Sequence, residues 1–216
     1  LVGSEMCIRD RHGDGVSGMV QMELDAHPND SLIAGVGMNL IHVDGFVKVQ
    51  LNKKMEVQVS ARRSITDLVE TPTYAIYFDR IFQDSDITNN NQATNNTTTT
   101  NRDFYFYDMS TKFIYDISKT DNLQFSFLNI FNDLSYTEEA TLNNQRQAVN
   151  SGITQRNLAT GLTYNREWSP AFSTQLHVYT SNYHLEATNF NITDNQRLFQ
   201  ENDLADSAIK LHTKYR

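Results

Sequence analysis

Six side chains in one stretch of the chain have the chemistry to receive a ligand. Arg62, Arg63 and Arg80 could greet an anion by charge-assisted hydrogen bonds, and Tyr74, Tyr77 and Asp79 lie between them in the sequence. The plainer reading is solvated arginines at the base of a loop, as for most surface charge. Asp84-Ser85-Asp86 resembles the opening of a calcium loop, but the glycine and terminal glutamate of an EF-hand are missing. A looser calcium site with Asp79 remains open, since acidic loops attract hard cations. The six histidines, His12, His27, His42, His177, His184 and His212, show no metal-ligand spacing. His177 and His184 fall on opposite faces if they share a strand.

Other motifs are weaker. Gly13-Asp14-Gly15-Val16-Ser17-Gly18 formally matches G-x-G-x-x-G. A dinucleotide site needs a strand before that motif and a helix after it; here a strand pattern follows, and a glycine-permitted turn is the sensible reading. No G-x-S-x-G elbow occurs, and no acid pair or Ser/His/Asp set can be assembled from spacing. The expectation is a protein that is not an enzyme and has no cofactor.

The elements that would position such residues announce themselves by a two-beat rhythm. In Met55-Glu56-Val57-Gln58-Val59-Ser60-Ala61-Arg62 the odd positions are apolar and the even ones polar. A strand throws successive side chains to opposite faces, so this one separates an oily surface from a wet one. The rhythm recurs at Leu32, Ala34, Val36, Met38 and Leu40, and at Val47, Val49 and Leu51. It returns at Tyr107, Met109, Phe113, Tyr115 and Ile117, then at Leu123, Phe125 and Phe127. Leu158, Leu162 and Tyr164 follow, then Phe172, Leu176 and Val178, and a last strand begins near Ala205. About eight strands of bilayer-crossing length result.

The connections alternate between short and long. Turns at Asn52, Ser118 and Glu167 are short, whereas excursions after Arg63, Asn132 and Leu185 are long. Asp44-Gly45 reads as a tight turn. The predicted loops run from Ser64 to about Asp103, from Asp133 to Thr154, and from roughly Glu186 to Asp203. Within the first, Thr71-Pro72 supplies an N-cap and first-turn proline, and Tyr74, Tyr77, Phe78, Ile81 and Phe82 have helical spacing, so a short helix is expected there. Thr88 through Asn101 is almost wholly Asn, Thr and Gln, a composition that cannot bury a core. Short turns on one rim and long loops on the other are the mark of a transmembrane barrel. Aromatics collect near strand ends, where membrane girdles sit.

Composition agrees with this. The 216 residues carry a formal net charge of −8, which argues against nucleic acid as a partner. A mean hydropathy of −0.52 is no objection, because half of each barrel strand faces a polar lumen. No apolar run approaches the roughly 18 residues of a membrane helix. One cysteine allows no disulfide framework. Residues 1–11, Leu1 to Arg11, fit no later rhythm and resemble a reading frame through a sequencing adapter, so they stand outside the fold reasoning.

Gly13-Asp14-Gly15-Val16-Ser17-Gly18-Met19-Val20-Gln21-Met22 resembles the closing strand of the plug domain of TonB-dependent outer-membrane receptors. The link through Pro28 into an alternating strand is similar, as are Ser60 to Asp67, Thr71-Pro72-Thr73-Tyr74 and Tyr77-Phe78-Asp79-Arg80. The resemblance implies that residues 12–27 end a plug and that residues 28–216 begin an even-numbered barrel of about twenty-two strands. It implies a place in the Gram-negative outer membrane, with membrane lipid, the TonB protein and an extracellular nutrient (metal chelate, vitamin or glycan) as partners. The energy-coupling box would lie before residue 12 and many strands after residue 216, so no functional residue of the family carries over. Two other readings fit the alternation: a complete small outer-membrane barrel with an adhesin or structural role, and a soluble β-sandwich or lipocalin-like binder.

Overall fold

The described residues fold as one antiparallel sheet of eight strands in meander order. The computed structural model describes residues 28, 31–69, 71, 72, 74, 76, 97–142, 145–191 and 195–215. The strands are β1 (Ile33–Met38), β2 (His42–Asn52), β3 (Met55–Ser64), β4 (Thr97–Asp116), β5 (Asp121–Leu142), β6 (Gln145–Ser169), β7 (Phe172–Asn191) and β8 (Gln196–Tyr215). Each pairs only with its neighbours in sequence, so β1 and β8 form the two edges. The fold class expected from the alternation is the one observed: all-β and antiparallel, with eight strands.

Because the side-chain period is 2, the register assigns every residue to a face. One register row runs Val49, Val57, Phe113, Phe125, Leu162, Val178, Ile209 across seven strands. The row on the opposite face one step along is Lys48, Gln58, Lys112, Ser126, Gly161, Tyr179, Ala208. Within the strands, Glu56, Ser64, Phe106, Ile114, Asn122 and Tyr136 are buried, and all six lie on this second, covered face. Ala148, on a ribbon far from the central rows, is the exception. The first face is bare.

The short turns tie one rim together. Lys54 Nζ donates to the Ile117 carbonyl at 3.0 Å, and Glu167 N–H to the Thr120 carbonyl at 2.9 Å. In the β4–β5 turn Asp121 accepts from Ser118 Oγ and from Tyr164 Oη, each at 2.6 Å. Those bonds, the Ser118 one foremost, then Arg166 nearby, hold its carboxyl below the usual aspartate value.

The other rim departs from what the sequence predicts in four places. Asp44-Gly45 is inside β2. The turn is Asn39–Ile41, where Asn39 Oδ1 accepts from the N–H of Ile41 and His42, each at 2.8 Å. That side-chain turn substitutes for the expected dipeptide. Second, residues 133–142 and 145–154 are no loop: β5 and β6 continue as a ribbon to Leu142 and Gln145. Third, 186–203 is likewise ribbon, with β7 and β8 paired out to Asn191 and Gln196. Asn195 takes the left-handed conformation of that turn, with φ of 52°. Thr97–Asn101, expected in a polar loop, also pairs with β5. The physical reason is common to the last three. Backbone pairing continues where both faces are wet, and a strand with two polar faces shows no period in its sequence. From Phe131 to the end of β5 at Leu142 the ribbon rises about 36 Å along the strand, at ~3.3 Å per residue. Unequal rims therefore persist, as long ribbons on one side and tight turns on the other.

Residues 65–69, 71, 72, 74 and 76 fold back over the covered face at this rim. Ile65 N–H donates to the Ile41 carbonyl at 2.9 Å, Thr71 Oγ1 to the Leu40 carbonyl at 2.9 Å, and the Thr66 hydroxyl to the Phe104 carbonyl. Tyr74 N–H donates to Thr71 Oγ1 at 3.2 Å, the N-cap bond anticipated for that threonine. Pro72, Tyr74 and Ile76 have helical backbone; Tyr77, Phe78, Ile81 and Phe82 lie outside the described residues.

Candidate functional surface: an apolar bare face and a polar covered face

The bare face carries an apolar belt, fully apolar toward the tight turns and interrupted by threonine, serine and asparagine toward the ribbons. Its rows run from Met55, Tyr115, Leu123, Tyr164, Leu176, Leu211 through the Phe125 row to Val59, Thr111, Phe127, Thr160, Thr180, Ser207 and then Ala61, Met109, Asn129, Leu158, Asn182, Ala205. Ile209 is 76% exposed, Leu211 66% and Leu162 42%. Rings border the belt on both sides. Tyr115 and Tyr164, with Trp168, Phe172 and Tyr215 beyond them, stand toward the tight turns. Toward the ribbons, Tyr107 stacks on Phe131 with centroids 5.3 Å apart, and Tyr105 is 6.0 Å from Tyr107. The distance from Tyr107 to Tyr115 along β4 is about 27 Å at ~3.4 Å per residue.

The covered face is polar and internally bonded. Lys48 Nζ lies 3.4 Å from Glu56 Oε1, and the Glu56 side chain is fully buried. Gln58 Nε2 donates to Glu56 at 2.7 Å, Ser60 and Ser110 share a 2.7 Å bond, and Arg62 meets Asp108 at 2.5 Å. Asn122 Nδ2 donates to Asp116 at 2.7 Å, and Thr163 Oγ1 bonds His177 Nδ1 at 2.8 Å. Ordinary soluble domains place these two kinds of surface the other way round. Among the described residues the buried apolar side chains are only Tyr74, Phe106, Ile114, Tyr136 and Ala148. Gly35 serves this face by its smallness: a Cβ there would meet Phe46 Cε1 at 2.5 Å, so the ring lies directly on the glycine of the short edge strand.

Of the six candidate ligand residues, Arg62, Arg63 and Tyr74 fall among the described residues. Arg62 and Arg63 are consecutive in β3 and face opposite ways. Arg62 is on the covered face, ion-paired to Asp108 and 5.2 Å from the Phe106 ring. Arg63 is on the bare face, bound to Asp67 at 2.6 Å and lying over Tyr105 at 5.3 Å. Tyr74 is buried with Tyr136 against Phe104 and Leu134. Tyr77, Asp79 and Arg80, and the Asp84-Ser85-Asp86 motif, lie outside the described residues, as do residues 1–27.

His177 and His184 do fall on opposite faces of β7. What spacing could not show is the grouping around His184, because it is made by the β7–β8 register. Ligand atoms of His184, Glu201 and Asp203 lie within 4.8 Å of one another. His184 Nδ1 is 2.6 Å from Asp203 Oδ1, and its Nε2 is 3.3 Å from Glu186 Oε1. The Asp203 bond, then Glu186, hold the imidazole above its ordinary pKa of 6.5. A raised folded-state value means the contact stabilises the ribbon fully below about pH 6.5 and releases it as pH climbs through the raised value. NMR titration of the His184 ring is expected to show this elevation, and Asp203→Asn to lower it; a titration unchanged by that substitution would refute the assignment.

No family model matches the chain, and no curated protein matches it. Among solved structures, the crystal structure of a major outer membrane protein from Thermus thermophilus is similar at 10% identity and a TM-score of 0.27, covering 85% of this chain and 96% of that one. The class defined by the strands themselves is an eight-stranded antiparallel meander with one apolar bare face and one polar covered face.

Proposed function

We propose that this chain is part of an outer-membrane β-barrel receptor, and that the bare face is its lipid surface. The observation that carries the reading is the inverted polarity. So many exposed large apolar side chains on one face are not left open to water in a monomeric soluble protein. Rings at both borders suit the two membrane interfaces. From the border ring Tyr107 to Tyr115 the belt would rise about 20 Å at the ~40° tilt of barrel strands. A lipocalin-like barrel is also a meander, but its ligand cavity is lined by apolar side chains and its outside is wet. A sandwich needs a second sheet, and the described strands form one.

The finer reading is a TonB-dependent receptor taking up a scarce nutrient, residues 12–27 being the end of its plug and 28–216 the first part of its barrel. The plug-like segment Gly13 to Met22 and the barrel motifs from Ser60 to Arg80 support it. The edges favour a portion of a larger barrel over a complete small one. β1 has 6 residues and β8 has 20, so joining them would leave most of β8 unpaired, which lipid does not tolerate. TonB would act through the plug, and the nutrient would enter from the ribbon side.

Photolabelling from within the bilayer tests the lipid surface. A probe confined to acyl chains is expected to mark Val57 and Val59 and to spare Glu56 and Gln58. The reverse pattern would refute the barrel.

A further inference from the structure

We propose that Arg156, with the rings beside it, binds the phosphate of a lipid headgroup at the ribbon-side border of the belt. This rests on the lipid surface proposed above and names what lies against its upper edge.

The register puts Arg63, Tyr107, Phe131, Arg156, His184 and Asp203 in one row of the bare face, directly above the last belt row. Arg63 is matched by Asp67. His184 is matched by Asp203 and Glu186. Arg156 is exposed and, among the described residues, has no carboxylate partner; the Phe131 ring lies 5.4 Å from its Cζ, and His184 stands opposite it across β6 and β7. A guanidinium lying over a ring keeps its N–H edge free, and that planar edge matches phosphate oxygens. The ring stack of Phe131 on Tyr107 holds the platform in place.

Position selects the ligand. An unpaired cation bordering hydrocarbon is costly unless an anion meets it. Headgroup phosphates occupy that height, where each basic side chain adds attraction. The carboxylates Asp133 and Glu186 stand one row further out, bonded to Thr154 at 2.7 Å and to His184 at 3.3 Å. Glu201 and Asp203 lie on β8, beyond His184. These acids repel a phosphate arriving from the water side or over β7 and β8. A phosphate rising from the lipid side meets Arg156 first. The site therefore spans β4 to β6 and takes a membrane phosphate in preference to a free one.

The test uses the complete barrel of which this chain is proposed to be a part, extracted from bacterial membranes in non-ionic detergent, with native mass spectrometry reading retained lipid. Phosphatidic acid and diacylglycerol, alike but for the phosphate, are the probes. The wild type is expected to hold phosphatidic acid and not diacylglycerol. Arg156→Gln should lower that binding about fivefold, the worth of one basic side chain at a membrane surface. Arg156→Lys should restore part of it, and Arg63→Gln should change it little. Equal retention by wild type and Arg156→Gln would overturn the site, as would displacement of the lipid by millimolar inorganic phosphate. A chain that carries the acyl-chain photolabel at Val57 yet ignores Arg156→Gln refutes only this site. A chain found in the soluble fraction refutes the lipid surface as well.

Discussion

Replacing Phe127 by arginine is expected to destabilise the membrane-inserted fold by about 2–4 kcal/mol, the cost of a charge near the bilayer midplane on a barrel's lipid face. Phe127 lies in the middle belt row with Val59, Thr111 and Thr160, two rows from Tyr115 and two from Tyr107. Its neighbour Ser126 faces the other way, exposed, with only a hydrogen atom for a side chain opposite at Gly161. Ser126→Arg should therefore cost within about 1 kcal/mol, as for a surface change touching no special feature. Urea unfolding from bilayers would read both. The difference between adjacent positions is the point of the experiment: a water-soluble sheet packed on its apolar face would also suffer from Phe127→Arg, but its cost would not vary with depth. Placing the same arginine at Met109 or Tyr107, nearer the border, should cost progressively less, down to about 0–1 kcal/mol. A cost that does not fall along β4 would count against the belt.

The second large effect lies on the covered face. Glu56 is fully buried, and Lys48 at 3.4 Å is a cation matched to it. Lys48→Met is expected to cost about 3 kcal/mol, because a buried carboxylate loses its counter-charge. The value sits at the low end of the range for broken buried pairs, since Gln58 Nε2 still donates to Glu56 at 2.7 Å. Removing both charges, as Lys48→Met with Glu56→Leu, should recover much of the loss, since replacing a buried pair by apolar groups is often neutral. A double-mutant cycle in the same unfolding assay measures the coupling. Additive losses would show that the pair is not a unit. The experiment also separates the two faces: a salt bridge on a wet exterior would contribute only about 0–1 kcal/mol.

The legibility of this protein in its sequence is uneven, for identifiable reasons. Met55–Arg62 is readable because each residue alternates between two unlike surroundings. The same holds for Leu123–Phe127 and for Leu158–Tyr164. Thr71 is readable as an N-cap because its role depends on residues a turn away. The ribbons of residues 133–154 and 186–203 are not. Their stability comes from backbone pairing with a neighbouring strand, and pairing leaves no mark on side-chain order when both faces meet water. Asp44-Gly45 misleads because a dipeptide that favours a tight turn is equally at home where β2 needs a small residue opposite Val36 and Ala61. Among the candidate ligand residues, adjacency in sequence suggests that Arg62 and Arg63 act together. A strand forbids it, since neighbours along it point apart.

What the amino-acid order determined alone was the strand class, the eightfold count, the inequality of the rims and which residues share a face. Each of these is a local property, set by period and turn chemistry. Tertiary structure decided everything that depends on register between strands: the Lys48–Glu56 pair, the His184 group with Glu201 and Asp203, and the row joining Arg63, Tyr107, Phe131 and Arg156. Register is a relation between distant segments. Sliding one strand by two residues would preserve every alternation while moving each of these partners about 7 Å apart.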